Sequence, residues 1–204
     1  MNIHLYAAVP LFDEQPLWRL IFWISYCTWI AFEIWVFSRD RRAARGEKRD
    51  GGSIIAIFVF FWLGITAAFM APHIAPSARI ELPSAAVFYT AMMLFWLGIV
   101  LRLWAISTLG RFFRTRVLVF DDHRLVTSGP YRVLRHPAYS GGLMTIAGLG
   151  LAFGNWFSLV GAILGVLIGY GWRIVVEEKA LRTHFGAAFD DHRRRTWAII
   201  PFVW

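Results

Sequence analysis

Residues 84–107 read SAAVFYTAMMLFWLGIVLRLWAIS, a run whose single charge is Arg102. A helix crosses the hydrocarbon layer of a bilayer in about 20 residues, so the run is long enough to span it. It is also apolar on every side, which a helix on the surface of a soluble domain is not. Comparable runs lie on either side of it, at 17–37 (interrupted by Glu33), 53–70 and 157–176, with a shorter one at 139–153. Gly154-Asn155-Trp156 separates the last two and reads as a turn, so they form a hairpin. The expected fold class is all-α integral membrane, with about five transmembrane helices and a C-terminal helical hairpin.

Composition excludes the ordinary alternatives. The 204 residues are 58% hydrophobic and 17% charged, with a mean hydropathy of +0.53, which rules against a soluble domain. Eighteen Phe, eleven Trp and six Tyr suit lipid contact and the headgroup boundary. A net charge of +8 in a soluble protein would suggest nucleic acid, but no basic soluble domain is left once the spans are set aside, so no nucleic acid is expected. Cys27 is the one cysteine, which excludes an internal disulfide and a Cys-rich metal or redox site. Lying inside an apolar run, it is expected to be a small buried hydrophobe.

Loop charge sets the expected orientation. Residues 39–50 carry six basic side chains (Arg39, Arg41, Arg42, Arg45, Lys48 and Arg49), whereas 71–83 carry Arg79 and His73 alone. By the positive-inside rule the first of these loops faces the cytoplasm. Alternation then puts 111–135 and everything after about residue 176 on that side, and both segments are basic. Residues 1–16 include Asp13 and Glu14 and have no basic start, so the first run is expected to stay as an anchor rather than leave as a signal peptide.

Polar residues gather at the cytoplasmic ends of the hairpin. The first cluster is Gly129-Pro130-Tyr131, then Arg135-His136-Pro137-Ala138-Tyr139-Ser140-Gly141. Pro137 suits a first helical turn, which leaves Arg135 and His136 at a helix entrance where backbone N–H groups favour an anion. The second cluster, Arg173 with Glu177 and Glu178, continues the fifth run; Arg173 and Glu177 are four apart and share a helix face. Charges on the continuation of a membrane helix are costly unless paired or facing a wet cavity. A short turn joins the two helices, so both clusters are expected to face one pocket. On the residues alone, a headgroup anchor and a capping ion pair remain open alternatives.

These strings, with Leu181, Phe185-Gly186, Thr196 and Pro201, resemble the isoprenylcysteine carboxyl methyltransferase family and its bacterial relatives, themselves related to phospholipid N-methyltransferases. The resemblance covers about the last 80 residues, and its Arg-His-Pro-x-Tyr part is shared with some sterol reductases. It implies that residues 111–204 form a cofactor-binding hairpin and cytoplasmic tail around S-adenosylmethionine. Residues 1–110 would then shape the route of a lipophilic small-molecule acceptor from the bilayer. Carried over position by position, it assigns Gly129, Pro130, Tyr131, His136, Pro137, Tyr139, Glu177 and Glu178 to the cofactor, and ties Arg135, Arg173 and Glu177 to activity. Phe189 and His192 stand where many members carry tyrosines. The setting implied is a bacterial inner membrane, with the active site facing the cytoplasm.

The residue types suit that chemistry. Methyl transfer is an in-line displacement from a sulfonium cation, which needs alignment and dryness more than acid or base. Glu177 or Glu178 can hold an ammonium or ribose, Arg135 a carboxylate, and the aromatic faces a sulfonium. Arg173 is expected to orient an anionic acceptor. A carboxylate acceptor is already nucleophilic at neutral pH, whereas an amine must lose a proton, for which Glu177 is the candidate base. Carboxylate, thiol and amine acceptors all remain open. So do an NADPH-dependent sterol-type reductase, which five spans ill accommodate, and a non-catalytic membrane subunit.

Glu33 and Arg102 are expected to pair, to line the acceptor path or to snorkel. Asp121-Asp122-His123 reads as a solvated turn rather than a metal site, and no metal is expected. Arg193-Arg194-Arg195 suits anchoring on anionic lipid. Gly98, Gly148, Gly150, Gly161, Gly165 and Gly169 are expected at helix contacts, in the hairpin or in a homodimer.

Overall fold

The computed structural model describes residues 9–43, 47–48, 53–113, 118–119 and 124–203. Among these residues six α-helices follow in order: α1 (Pro16–Ala43), α2 (Ser53–Ile74), α3 (Ser84–Leu109), α4 (Pro137–Leu151), α5 (Trp156–Phe185) and α6 (Ala187–Arg195). Two-residue strands β1 (Glu47–Lys48) and β2 (Leu118–Val119) pair antiparallel. That ladder holds the segments after α1 and α3 together at one end of the bundle, in keeping with alternating spans. The architecture is an all-α integral membrane fold.

Among the described residues, four helices have the length and composition to cross a bilayer, at Pro16–Ser38, Ile55–Ile74, Ser84–Phe112 and Trp156–Phe185. About five spans are expected from the sequence; four of them are these helices, and the fifth, α4, is shorter. At 15 residues and 1.5 Å per residue, α4 is about 22 Å long, less than the hydrocarbon thickness. The positions that would lengthen it, 128–136, form a 3₁₀ turn and an extended segment paired with the chain's tail. Helix α5 runs the other way. Its 30 residues reach about 45 Å, so its last turns, with Glu177 and Glu178, continue well past the apolar run.

Two glycine seams set the helix order. On α3 and α4, a Cβ at Gly98 would lie 2.5 Å from the Gly141 carbonyl oxygen, and one at Gly148 2.5 Å from the Phe95 amide. On α2 and α5, a Cβ at Gly165 would lie 2.6 Å from the Phe60 carbonyl oxygen. Absent side chains thus let backbones meet, the usual means of association where no hydrophobic effect acts between helices. Gly150 approaches Leu159 within the hairpin, but the Gly161, Gly165 and Gly169 face is filled by α2 of the same chain. The hairpin is therefore clasped between α3 and α2, and the helices share one buried core running from Trp18 and Phe22 to Ile174.

The turn at 154–155 closes the opposite end. Asn155 caps α5 by accepting from the Phe157 and Ser158 amides, and its Nδ2 donates to Ala75 O at 2.8 Å. The Leu11 and Ile80 amides reach Phe153 O and Gly154 O, so chain from three connections seals this end. One sequence expectation is corrected here: Cys27 is exposed. The apolar residues of α1 are spread round the helix, so their pattern does not reveal which side is buried; Trp18, Phe22, Ser25 and Trp29 turn inward and leave Cys27 on the lipid side. The Asp121-Asp122-His123 stretch, residues 1–8 and most of the basic 39–50 loop lie outside the described residues or side chains.

Candidate active site

The approach to α4 is built by backbone. Gly129, at φ +57°, starts the 3₁₀ turn Gly129–Arg132, a conformation that favours glycine; the turn buries Tyr131. Beyond it the chain pairs with the tail after α6 as a short parallel ladder. The Arg135 and His136 amides donate to Trp197 O (2.7 Å) and Ala198 O (3.0 Å), and the Trp197 amide donates back to Val133 O (3.0 Å). Ser140 Oγ adds a bond to Ile199 O at 2.6 Å. Residues 196–199 thereby pin Arg135 and His136 in place before Pro137 opens α4.

Across from this strap, the end of α5 offers its two carboxylates. Arg135 Nε donates to Glu178 Oε1 at 2.7 Å, and its Nη1 to Thr196 O and Arg193 O. His136 Nε2 lies 3.3 Å from Glu178 Oε1, and its Nδ1 4.0 Å from Glu177 Oε1. Tyr139 Oη donates to Glu177 Oε2 at 2.8 Å and accepts from Arg173 Nε at 3.3 Å. The ring of Tyr139 stands between His136 (5.6 Å) and Tyr170 (4.7 Å). The imidazole at 136 and the acidic pair at 177 and 178, forty residues apart, thus share one network. Such charge-assisted bonds are short, directional and hard to replace by water.

A cavity of about 580 Å³ opens beside this network, within the range of ligand pockets. Arg135, His136, Tyr139, Glu177, Tyr131 and His192 are on its polar wall; Trp29, Phe37, Phe58, Phe61 and Trp62 of α1 and α2 are on its apolar wall. The remaining residues singled out from sequence are placed differently. Gly129, Pro130 and Pro137 shape the turn and helix start without lining the cavity. Glu178 sits behind Arg135 and His136, holding both. Arg173 is 1% exposed and lies behind Tyr139, not on the wall.

Glu33 and Arg102 do reach the wall. They pair across α1 and α3 through Nε to Oε1 at 2.8 Å and Nη2 to Oε2 at 2.9 Å. Phe189, marked above as a departure from the family pattern, lines the space, as do Leu109, Phe113 and Val126; for these last three, apolar residues in an apolar sequence carry no signal that would mark them beforehand. Burial raises the Tyr131 hydroxyl pKa, with Glu177 adding to it, so Tyr131 stays protonated. Burial first, then Arg135 and His136, lower the His192 pKa, which leaves a neutral imidazole at neutral pH.

Comparison with known proteins follows the same region. Residues 86–188 match the family model for phospholipid methyltransferases. A probable protein-S-isoprenylcysteine O-methyltransferase of Oryza sativa subsp. japonica is 34% identical over 119 residues, 57% of this chain and 62% of the relative. Protein-S-isoprenylcysteine O-methyltransferase B of Arabidopsis thaliana is 35% identical over 109 residues, 52% and 55% of the two chains. The structure of the eukaryotic intramembrane Ras methyltransferase, isoprenylcysteine carboxyl methyltransferase, is similar with a TM-score of 0.57 and 28% identity, covering 73% of this chain and 52% of that one. The chain spans about three fifths of the length of the rice relative. With the matched segment running from the start of α3 to the start of α6, and so across the Arg135, His136, Glu177 and Glu178 network, the chain belongs to the phospholipid methyltransferase family.

Proposed function

We propose that this protein is an integral-membrane methyltransferase that uses S-adenosylmethionine to methylate a lipophilic acceptor, the carboxylate of an isoprenylcysteine-like molecule. The observation that carries this reading is one cavity lined both by ionisable side chains at the hairpin ends and by aromatic side chains from two spans. A water-soluble charged cofactor and a membrane-dissolved acceptor need such a two-sided space to meet. In keeping with loop charge, the polar side would face the cytoplasm, across an inner membrane if the source is bacterial.

The residues on the polar wall fit the cofactor's chemistry. Glu177 is a carboxylate acceptor for an ammonium or ribose hydroxyls, Arg135 offers Nη2 to a carboxylate, and Tyr131 and Tyr139 supply π-faces for a cation. When bound, S-adenosylmethionine supplies a methyl group on a sulfonium sulfur, which becomes a neutral thioether as the acceptor oxygen takes the methyl. The protein's part is to align and to exclude water. Arg173 locks the Tyr139 hydroxyl, Tyr139 locks Glu177, and Glu178 fixes Arg135 and His136. Residues 1–110 would shape the acceptor's route, and 111–204 the cofactor's enclosure.

The test is a binding titration of the purified full chain in detergent with S-adenosylmethionine, S-adenosylhomocysteine and NADPH. Saturable binding of the two sulfur compounds, lost in Glu177→Ala, is the expected result. Binding of NADPH alone would replace the reading by a reductase, and binding of none by a non-catalytic subunit. Transfer of labelled methyl to a phospholipid, the word in the family's description, in preference to a prenylated carboxylate would keep the methyltransferase but change its substrate.

A further inference from the structure

Glu33 and Arg102 form a charged pair on the cavity wall that the network above does not use. An ionised pair within spans is costly where hydrophobic residues would pack as well, yet both side chains lie on the cavity wall. The wall of α1 presents Trp29, Ile30, Glu33 and Phe37, spaced to share one helix face. Glu33 is therefore flanked along its own helix by the apolar groups that would receive a lipophilic chain. Arg102 faces it from α3, and its Nη1 donates to Ala138 O at 3.0 Å. That bond sets the guanidinium one residue from Tyr139, whose hydroxyl holds Glu177 at 2.8 Å. The pair stands between the aromatic wall and the ionic one.

Other cations are less suited to meet an acceptor arriving from the bilayer. Arg173 is buried behind Tyr139. Arg135 is held by Glu178 and the tail, and its remaining Nη2 is the group assigned above to the cofactor's carboxylate, whereas Arg102 keeps one hydrogen on each of Nη1 and Nη2 beyond its bonds to Ala138 and Glu33. Among the described residues, the arginines on the cavity wall are Arg102, Arg124 and Arg135, and of these Arg102 alone comes from a span.

We infer that Arg102, held in orientation by Glu33, receives the acceptor's carboxylate and is the residue that distinguishes the anionic acceptor from its neutral methylated product. This rests on the methyltransferase reading. The carboxylate oxygen forms its bond to the methyl carbon as the carbon–sulfur bond breaks with its electron pair staying on sulfur. The acceptor therefore enters with a negative charge and leaves as an ester without one. A planar guanidinium donates two parallel bonds to a carboxylate and only weaker ones to an ester. Arg102 then favours binding of acceptor over product, and its grip weakens once the methyl has been transferred.

The probes are an N-acetylated S-prenylcysteine with a free carboxylate and its methyl ester, each titrated into the full chain in detergent with S-adenosylhomocysteine present. The acid is expected to bind about thirtyfold tighter than the ester, and in Arg102→Gln the ratio is expected to fall to about one, with S-adenosylmethionine affinity changed by less than about twofold. The combined Glu33→Arg and Arg102→Glu exchange keeps an ion pair between α1 and α3 but moves the cation; a merely structural tie would be rescued by it. The acid preference is expected to stay lost, and this exchange carries the test if Arg102→Gln does not fold. Recovery of the preference in the exchange variant, an unchanged ratio in a cofactor-binding Arg102→Gln, or a wild type that prefers the ester or an amine lipid overturns the inference and leaves the methyltransferase standing. Failure of the wild type to bind either sulfur compound would instead remove the reading beneath it.

Discussion

The two walls of the cavity are built on opposite principles. On the polar wall, Arg135, His136, Tyr139 and Glu177 each have a polar partner, and the backbone beneath them is pinned to residues 196–199. On the apolar wall, Trp29 rests on Phe61 at 5.7 Å, Phe61 on Trp62 at 5.8 Å and Phe58 on Phe37 at 6.2 Å. Hydrogen bonds are directional, so the first wall is specific for what it holds; ring packing tolerates shape changes, so the second selects by volume and greasiness. On the proposed reading, the first wall would hold the charged cofactor and the second the lipophilic part of the acceptor.

Breaking the polar wall should have the largest effect. Glu177→Ala removes a carboxylate held by Tyr139 and should cost S-adenosylmethionine affinity by more than about a hundredfold, since it also strands the partners it neutralises; calorimetry in detergent measures it. An effect on acceptor KM alone would mean the two walls do not divide the labour. On the apolar wall, Phe61→Ala should raise the KM for a prenylated acceptor about tenfold while leaving cofactor affinity unchanged. Loss of both together would show that the walls are not independent.

A finer cut is Tyr139→Phe, which keeps the ring between His136 and Tyr170 but deletes the hydroxyl joining Arg173 to Glu177. Turnover should fall about fivefold to tenfold, the worth of one or two lost hydrogen bonds, and single-turnover kinetics should assign the loss to the methyl-transfer step. The smallest effect concerns the tail. The folded-state pKa of His192 lies below its ordinary 6.5, so the folded state takes up its proton less readily than the unfolded one. Its contribution is therefore intact above pH 6.5 and is lost as pH falls from 6.5 toward the lowered value. Tail cleavage by trypsin at Arg193, Arg194 and Arg195 should quicken across that window, and His192→Gln should flatten the profile.

Much of the polar wall was legible in the chain because ionisable residues stand out where most neighbours are apolar. Arg135, His136, Glu177 and Glu178 could be brought together from one consideration, that a short turn at 154–156 sets the two helix ends side by side. The strap at 196–199 was not legible, because its bonds run backbone to backbone and leave no side-chain signature. Nor was the neighbour of each glycine seam: the spacing of Gly161, Gly165 and Gly169 announces a close approach, but not that α2 supplies it.

Arg173 and Arg102 show the limit most sharply. Both are arginines within predicted spans, and on pattern Arg173 was the better candidate to face an acceptor; the structure turns it behind Tyr139 and sets Arg102 on the wall. Sequence by itself determined that this protein lives in a bilayer, which residues are too polar to be there without a partner, and which end of the hairpin gathers them. Those follow from the free energy of moving each group out of water, a property of the residue. Which side of a span faces lipid, cavity or neighbour was decided only by the tertiary structure. In a helix apolar all round, no rotation about its axis is favoured until other helices pack against it.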